Sequence, residues 1–137
     1  MRLAPVLVAF LAAALAAPGF AETRLKRPRL DVRATPRVAM SPARVLVFVE
    51  LVGGDDVEEY YCPGLEWDWG DGSRSFQESD CEPFEAGATV ERRYSASHFY
   101  GHPGDYNVRV SLRRAERTLA STAAQVIVRG FVAGIER

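Results

Sequence analysis

Only a few side chains in this sequence have the types and spacing that catalysis requires. The two histidines, His98 and His102, lie four residues apart, and no nucleophile-elbow sequence accompanies them. A catalytic triad would need a nucleophile and an orienting carboxylate around one of these rings. A zinc site from both histidines would need a helix, which the following Pro103-Gly104 prevents. These residues therefore do not predict an enzyme.

Carboxylates are the second group that could do chemistry. The segment from Asp55 to Glu91 contains twelve acidic residues and one basic residue, Arg74. Calcium takes about six to eight oxygen ligands, several from carboxylates, but no complete D-x-D-x-D-G loop is present. We interpret the segment as a solvated acidic surface without a cofactor, with a calcium site as the alternative. The candidate calcium ligands are Asp55, Asp56, Glu58, Glu59, Asp80 and Glu82.

The N-terminal segment is typical of a secretory signal peptide. Met1-Arg2 precedes an apolar run, and Gly19-Phe20-Ala21 places small residues at the positions that flank a cleavage site. The run is about 15 residues long, shorter than the roughly 20 that a membrane-spanning helix needs, so an anchor is the weaker interpretation. We expect cleavage near Ala21, a secreted or periplasmic mature chain without a membrane span, and a flexible leader over 22–29.

The elements that follow are predicted to be strands. Leu65–Trp69 alternates between apolar and acidic residues, and Asp71-Gly72 is a strong hairpin signal. The run Val45–Val52 is apolar on both faces, which predicts a central strand covered on both sides. Further strands are predicted near Leu30–Val32, Val90–His98, Asp105–Arg113 and Leu119–Arg129. About seven short strands with no helical period predict an all-β sandwich over 30–130, followed by a tail over 131–137.

The predicted hairpin also pairs the two cysteines. If Asp71-Gly72 is a two-residue turn, positions whose numbers sum to 143 face each other, so that Trp67 faces Phe76. Cys62 then faces Cys81, although Pro63-Gly64 can shift the register by one. Export and an even cysteine count favour a disulfide independently. We therefore expect a Cys62–Cys81 bridge.

The same strand directions bring charges together at the disulfide end. Because the predicted strands alternate in direction, seven acidic residues and three arginines should lie in loops at the same end of the sandwich. They are Asp55, Asp56, Glu58, Glu59, Asp80, Glu82 and Glu85, with Arg113, Arg114 and Arg117. Because arginines compete for the same carboxylates, this arrangement weakens the calcium interpretation.

Two ordered motifs in this region resemble a known family. The hairpin sequence Trp67-Asp68-Trp69-Gly70-Asp71-Gly72 is similar to the signature of the polycystic kidney disease (PKD) domain. About 25 residues later, His98-Phe99-Tyr100 and then Pro103-Gly104-Asp105-Tyr106-Asn107-Val108 resemble its second signature. The resemblance covers roughly Leu30 to Arg129. It departs from the family at the acidic insertion 53–61, at the cysteine pair and over 80–89.

This resemblance implies an immunoglobulin-like sandwich and a non-catalytic module. In such a fold Trp67 is the core tryptophan, Gly70 and Gly72 give the turn its backbone freedom, and Tyr106 is a tyrosine corner. Modules of this family mediate protein or carbohydrate contacts or act as spacers. The signature positions Asp68, Asp71, His98, Tyr100 and Gly104 are then structural as well.

The composition limits the partners. The chain has 137 residues and a net charge of -1, which suits one domain and argues against a dedicated nucleic-acid binder. Tyr60, Tyr61 and Phe84 lie near the acidic loops and are the candidate binding surface. We expect a monomeric exported module with a protein or polysaccharide partner. The alternatives are a calcium-dependent carbohydrate-binding or adhesion module and a small secreted enzyme or enzyme inhibitor.

Overall fold

The fold is a two-layer β-sandwich, described by a computed structural model over residues 27–131. The predicted signal peptide, most of the leader and most of the tail lie outside this range. The strands are β1 (Arg29–Thr35), β2 (Val38–Met40), β3 (Ala43–Val52), β4 (Gly64–Asp68), β5 (Arg74–Gln77), β6 (Arg93–Tyr100), β7 (Gly104–Arg114) and β8 (Arg117–Arg129). One 3-10 turn spans Glu58–Tyr60. No helix within 27–131 is long and apolar enough to cross a bilayer.

The strands form two sheets that pack face to face. The smaller sheet has the order β1-β3-β6 and is antiparallel throughout. The larger sheet has the order β2-β8-β7-β4-β5, in which only the β2–β8 pair is parallel. The all-β sandwich is confirmed, with eight strands in place of about seven. The additional strand β2 lies between Pro36 and Pro42 and is too short to show an alternating pattern.

The core lies between the sheets and is built by period-two alternation. From β3 it receives Val45, Val47, Val49 and Leu51, each at most 2% exposed. From β7 it receives Val108, Val110 and Leu112, all fully buried. Trp67 and Trp69, on the inner face of the β4 segment, are the largest side chains of this core. No charged residue within 27–131 is buried, so packing between apolar faces holds the two layers together.

Two predictions about strand environment are wrong in detail. The outer face of β3 is open to solvent, with Leu46 37% and Phe48 47% exposed, so this strand is covered on one side only. The β4–β5 register is displaced by one, because Trp67 pairs with Ser75 and Phe76 lies opposite Glu66. The displacement arises because the turn has three residues and closes through a 3.1 Å hydrogen bond from the Trp69 amide to the Ser73 carbonyl oxygen.

The predicted disulfide is present despite this shift in register. Cys62 and Cys81 are bonded, with their Cα atoms 6.1 Å apart, and no other cysteine exists in the sequence. The bridge lies beyond the paired part of the hairpin, where irregular backbone absorbs the one-residue difference. It joins the segment before β4 to the loop after β5. The disulfide end of the sandwich is therefore covalently closed.

Candidate functional site

An aromatic chain connects both signature motifs at the hairpin end of the sandwich. Trp67 stacks on Trp69 with ring centroids 5.6 Å apart, and Trp69 stacks on His98 at 4.6 Å. His98 meets Tyr100 edge-on at 4.7 Å, and Tyr100 stacks on Tyr106 at 4.2 Å. The five rings come from β4 and the residue that follows it, from β6 and from β7, and they bridge both sheets. The signature residues thus pack against one another.

Hydroxyl groups at the end of this chain fix the backbone of the turns. Tyr100 donates a buried 2.8 Å hydrogen bond to the Trp69 carbonyl oxygen, which ties β6 to the hairpin. Tyr106 donates to the carbonyl oxygen of His102 at 2.6 Å, the arrangement expected of a tyrosine corner. Burial, followed by the nearby Asp71 carboxylate, raises the pKa of Tyr100 far above its ordinary value. This hydroxyl therefore stays a donor at physiological pH.

The hairpin turn is held by Asp71. One carboxylate oxygen accepts the Ser73 amide at 3.0 Å, and the other lies 2.7 Å from His98 Nε2. Desolvation would raise the pKa of Asp71, but the hydrogen bonds from His98 and Ser73 outweigh it and lower that pKa to about 2. Asp68 supports the same turn by accepting the Gly70 amide at 3.1 Å. Both acidic signature residues therefore have structural partners.

These residues include a serine, a histidine and an aspartate, but their geometry is not that of a triad. Ser73 Oγ lies 3.3 Å from His98 Nε2, and Asp71 contacts that same nitrogen. In a triad the nucleophile and the acid contact opposite nitrogens of the histidine ring. One nitrogen takes the proton of the nucleophile, and the other donates a hydrogen bond to the acid, which orients the ring. Here serine and aspartate share one nitrogen, and Ser73 also bonds to Asp71 directly. The cluster closes a turn.

Gly70 is required by close backbone packing as well as by conformation. Its φ is +79°, and a Cβ built on it would lie 2.8 Å from the Asn107 carbonyl oxygen on β7. Gly72 has a φ of +89° but open space around its Cα. Of the two glycines of the turn, only Gly70 is constrained by a neighbouring strand.

The acidic loop at the opposite end is organised by Arg92, which the charge pattern did not single out. Its guanidinium donates to the carbonyl oxygens of Gly53 at 2.8 Å and Gly54 at 3.2 Å. The same group pairs with the Asp56 carboxylate at 3.1 Å. Arg92 lies directly after the acidic segment from Asp55 to Glu91 and is the cation around which this loop folds.

The arginines of the β7–β8 connection meet the acidic loop as expected. Arg117 lies 3.3 Å from Glu59, and Arg114 lies 3.8 Å from Glu58 and donates to its carbonyl oxygen. Arg113 differs, because it pairs with Glu66 on β4 at 3.1 Å. Three of the six proposed calcium ligands thus face an arginine, and no group of three potential metal ligands occurs within 27–131. Asp55, Asp80 and Glu82 form no ion pair in the described part of the chain.

The aromatic residues of the predicted binding surface pack against the protein itself. Tyr61 meets Phe84 edge-on at 5.3 Å and donates a 2.8 Å hydrogen bond to the Glu82 carbonyl oxygen. Tyr60 is half-buried against the core. These contacts tie the loop after β5 to the 3-10 turn. All three aromatic side chains are half-buried.

More exposed apolar side chains lie on the outer face of the β1-β3-β6 sheet. Leu46 and Phe48 on β3 point outward, and Phe99 on β6 joins them with 53% exposure. Pairing places Arg33 beside Phe48 and Arg44 beside Phe99. We call these five residues the outer face. The sequence feature that indicated this face is the run Val45–Val52, which is apolar at successive positions. Such a run is compatible with a strand that leaves one face open for interaction as well as with a strand covered on both faces.

Comparison with known proteins supports the fold. The PKD domain of an M14-like peptidase from a Thermoplasmatales archaeon is similar, with a TM-score of 0.51, 14% identity, and coverage of 74% of this chain and 94% of that one. The CARDB domain of a Pyrococcus furiosus protein, solved with di-metal ions, has a TM-score of 0.46 and 13% identity, covering 77% and 97%. No family model matches the sequence, and no curated protein matches it.

The class of protein follows from the fold and its signature residues together. The chain has a PKD-like fold, an immunoglobulin-type sandwich with one disulfide. At 14% identity the likeness concerns the fold alone. The residues that resemble the family signature are those of the aromatic chain and the Asp71 turn.

Proposed function

We propose that this protein is an exported, non-catalytic PKD-like module that contacts a protein or polysaccharide through the outer face. One observation carries the proposal: three apolar side chains, Leu46, Phe48 and Phe99, are exposed on the same face of one sheet, with arginines paired opposite Phe48 and Phe99. Exposed apolar side chains grouped on one face and bordered by arginines are typical of an interaction surface. Aromatic and arginine side chains are also the types that dominate binding energy in interfaces.

Other surfaces offer less support for binding. Tyr61 and Phe84 pack against each other. Three of the four carboxylates of the acidic loop are paired with Arg92, Arg114 and Arg117. Arginines close to the outer face favour a partner with acidic groups. The disulfide supports export, because such bonds persist in oxidising compartments. The signal-like segment ending at Ala21 supports the same conclusion.

The experiment is a binding screen with two matched variants. The oxidised protein is tested against arrays of neutral polysaccharides, anionic polysaccharides and peptides. Phe48→Ser should abolish retention on whichever class binds, because Phe48 is the more exposed of the two apolar side chains that β3 contributes to the outer face. Phe76→Ser removes an even more exposed phenylalanine, 70% accessible, from the other sheet and should leave retention unchanged. Equal loss in both variants, or retention in both, would contradict the proposal.

A second measurement tests export. The full chain carrying a C-terminal tag is produced in a bacterium with a periplasm, and the tagged protein is located by fractionation. We expect a product shortened by the predicted 21 residues outside the cytoplasm. An uncleaved product that stays in the cytoplasm with reduced cysteines would reject the export part of the proposal.

A further inference from the structure

The free edge of β6 differs from the other three sheet edges. β2 and β5 are short, with three and four residues, and β1 carries charges at alternate positions. β6 has eight residues, Arg93-Tyr-Ser-Ala-Ser-His-Phe-Tyr100, with no proline, lysine or bulge. Natural proteins blunt exposed edges with short strands, charges, prolines or bulges, because an open edge recruits another strand. β6 has almost none of these protections.

The pairing pattern shows which backbone groups this edge presents. The amide of Leu51 donates to the carbonyl oxygen of Arg92, which makes that pair a hydrogen-bonded one. In an antiparallel ladder the hydrogen-bonded pairs recur at every second residue, so Tyr94, Ala96, His98 and Tyr100 bond to β3. The intervening residues therefore direct their amides and carbonyl oxygens away from the sheet. They are Arg93, Ser95, Ser97 and Phe99.

Nothing in the described chain uses these outward groups. β6 pairs with β3 alone, and no turn, loop or side-chain hydrogen bond within 27–131 involves the backbone of Arg93, Ser95, Ser97 or Phe99. The side chains of these four residues are exposed as well. The edge is thus a row of four donor and acceptor sets available for strand addition.

We infer that the β6 edge pairs with the β6 edge of a second copy of this chain, antiparallel about a two-fold axis at Ala96. In this register Ser95 lies opposite the second copy's Ser97, and Arg93 lies opposite its Phe99. Both pairs are favourable cross-strand combinations: hydroxyl with hydroxyl, and a guanidinium beside an aromatic ring. The two-fold axis repeats each of them, so the edge is complementary to itself.

The resulting assembly has a defined architecture. The two three-stranded sheets become one continuous six-stranded sheet, and the two outer faces lie side by side on it. The inference goes beyond the proposed function and does not depend on it, since edge pairing uses backbone groups and not Phe48. A module with two coplanar outer faces would bind a repetitive partner more strongly than a single copy does. This assembly replaces the monomer that the sequence predicts.

The test combines association with amide exchange in the oxidised protein. Sedimentation equilibrium from low micromolar to millimolar concentration should show a monomer–dimer equilibrium. Over the same range, hydrogen exchange at Arg93, Ser95, Ser97 and Phe99 should slow, while their neighbours, already bonded to β3, should not change. A protein that remains monomeric throughout overturns the inference and would leave the edge to a strand of another protein.

A matched pair of substitutions separates edge pairing from other association. Ser97→Pro removes an outward amide without breaking a bond to β3, because proline is tolerated where a strand's amide faces solvent. It should return the protein to a monomer with the disulfide and the thermal transition retained. Ser97→Ala keeps the amide and should still dimerise, as should Phe48→Ser. A dimer that survives Ser97→Pro, or that disappears in Phe48→Ser alone, overturns the inference in favour of a different interface.

Should Ser97→Pro fail to fold, the exchange pattern of the unmodified protein still decides. Slowing confined to the four outward amides supports edge pairing. Slower exchange along the whole of β3, or unchanged exchange at the four outward amides of β6, contradicts edge pairing.

Discussion

The two ends of the sandwich are held by different physical forces. At the hairpin end, stacked rings and a buried tyrosine hydroxyl bring β4, β6 and β7 together around Trp69. At the disulfide end, longer loops are held by a covalent bond and by arginines that are partly exposed. Buried packing contributes several kcal/mol per large side chain, whereas exposed ion pairs contribute about 0–1 kcal/mol each. The hairpin end should therefore contribute most of the free energy of unfolding. The loops at the disulfide end should be less strongly ordered.

The largest effect is expected from the aromatic chain. Trp67→Ala removes a side chain that is 1% exposed and should lower the free energy of unfolding by about 3–5 kcal/mol, a large part of the stability of a small domain. Phe76→Ala, on the same hairpin but 70% exposed, should change it by less than about 0.5 kcal/mol. Chemical denaturation measures both. Similar values for the two variants would show that stability does not reside in the stacked rings.

Next in size is the disulfide. Replacing Cys62 and Cys81 by alanine opens a loop with a sequence separation of 19 and should cost about 3 kcal/mol by chain entropy. The fold should persist, because the packed core lies elsewhere. Near-ultraviolet circular dichroism of the tryptophans should keep its native shape in the double variant. Loss of that signal would mean that the two ends are not energetically separate.

The Arg92 contacts should have an intermediate and local effect. Arg92→Met keeps the aliphatic stem but loses the donors to Gly53 and Gly54, which should cost about 1–2 kcal/mol. Hydrogen exchange should accelerate over 53–57 and stay unchanged in the hairpin turn. Arg93→Met is the control, because that side chain is 85% exposed and, among residues 27–131, pairs only with Glu50. Equal responses from the two variants would show that Arg92 does not organise the loop.

Asp71 makes the stability of the hairpin end depend on pH, with stability falling as the pH is lowered. Its folded pKa is about 2, below the ordinary 3.8, so the stabilisation is present above about pH 4 and is lost as pH falls through about 2. After allowance for solvent screening the contribution is on the order of 1 kcal/mol. Asp71→Asn should therefore destabilise at pH 7 and lose most of that difference near pH 2. Asp105→Asn, at an exposed position without an ion pair in the described chain, should show no such dependence.

Calcium should produce the smallest effect. Because Asp56, Glu58 and Glu59 face arginines, millimolar calcium should raise the melting temperature by less than about 2 °C. A site of micromolar affinity would add roughly 4 kcal/mol at that concentration and shift melting by many degrees. A shift of that size, abolished by replacing Asp55 and Asp56 with asparagine, would restore the calcium-dependent adhesion alternative.

Local sequence was sufficient for the features that depend on alternation and on turn chemistry. The strands around Trp67 and Val108 and the disulfide all follow from period-two patterns and a hairpin signal. They are predictable because a strand exposes its two faces strictly in turn. The immunoglobulin-like class came from the resemblance of the signature residues to a known family. One of those residues, Gly70, is required by its φ of +79° and by its close approach to Asn107.

Tertiary structure decided the features that depend on which distant segment packs against a residue. The sequence of β3 is apolar on both faces, but only the packing of two sheets determines that Val47 is buried and Phe48 is uncovered. Tyr61 and Phe84 lie 23 positions apart in the sequence, and only the folding of their loops brings the two rings into contact. Arg92 became an organising residue only because loop carbonyl oxygens converge on it. Alternation fixes which residues share a face, whereas whether that face meets protein or solvent depends on contacts between segments distant in sequence.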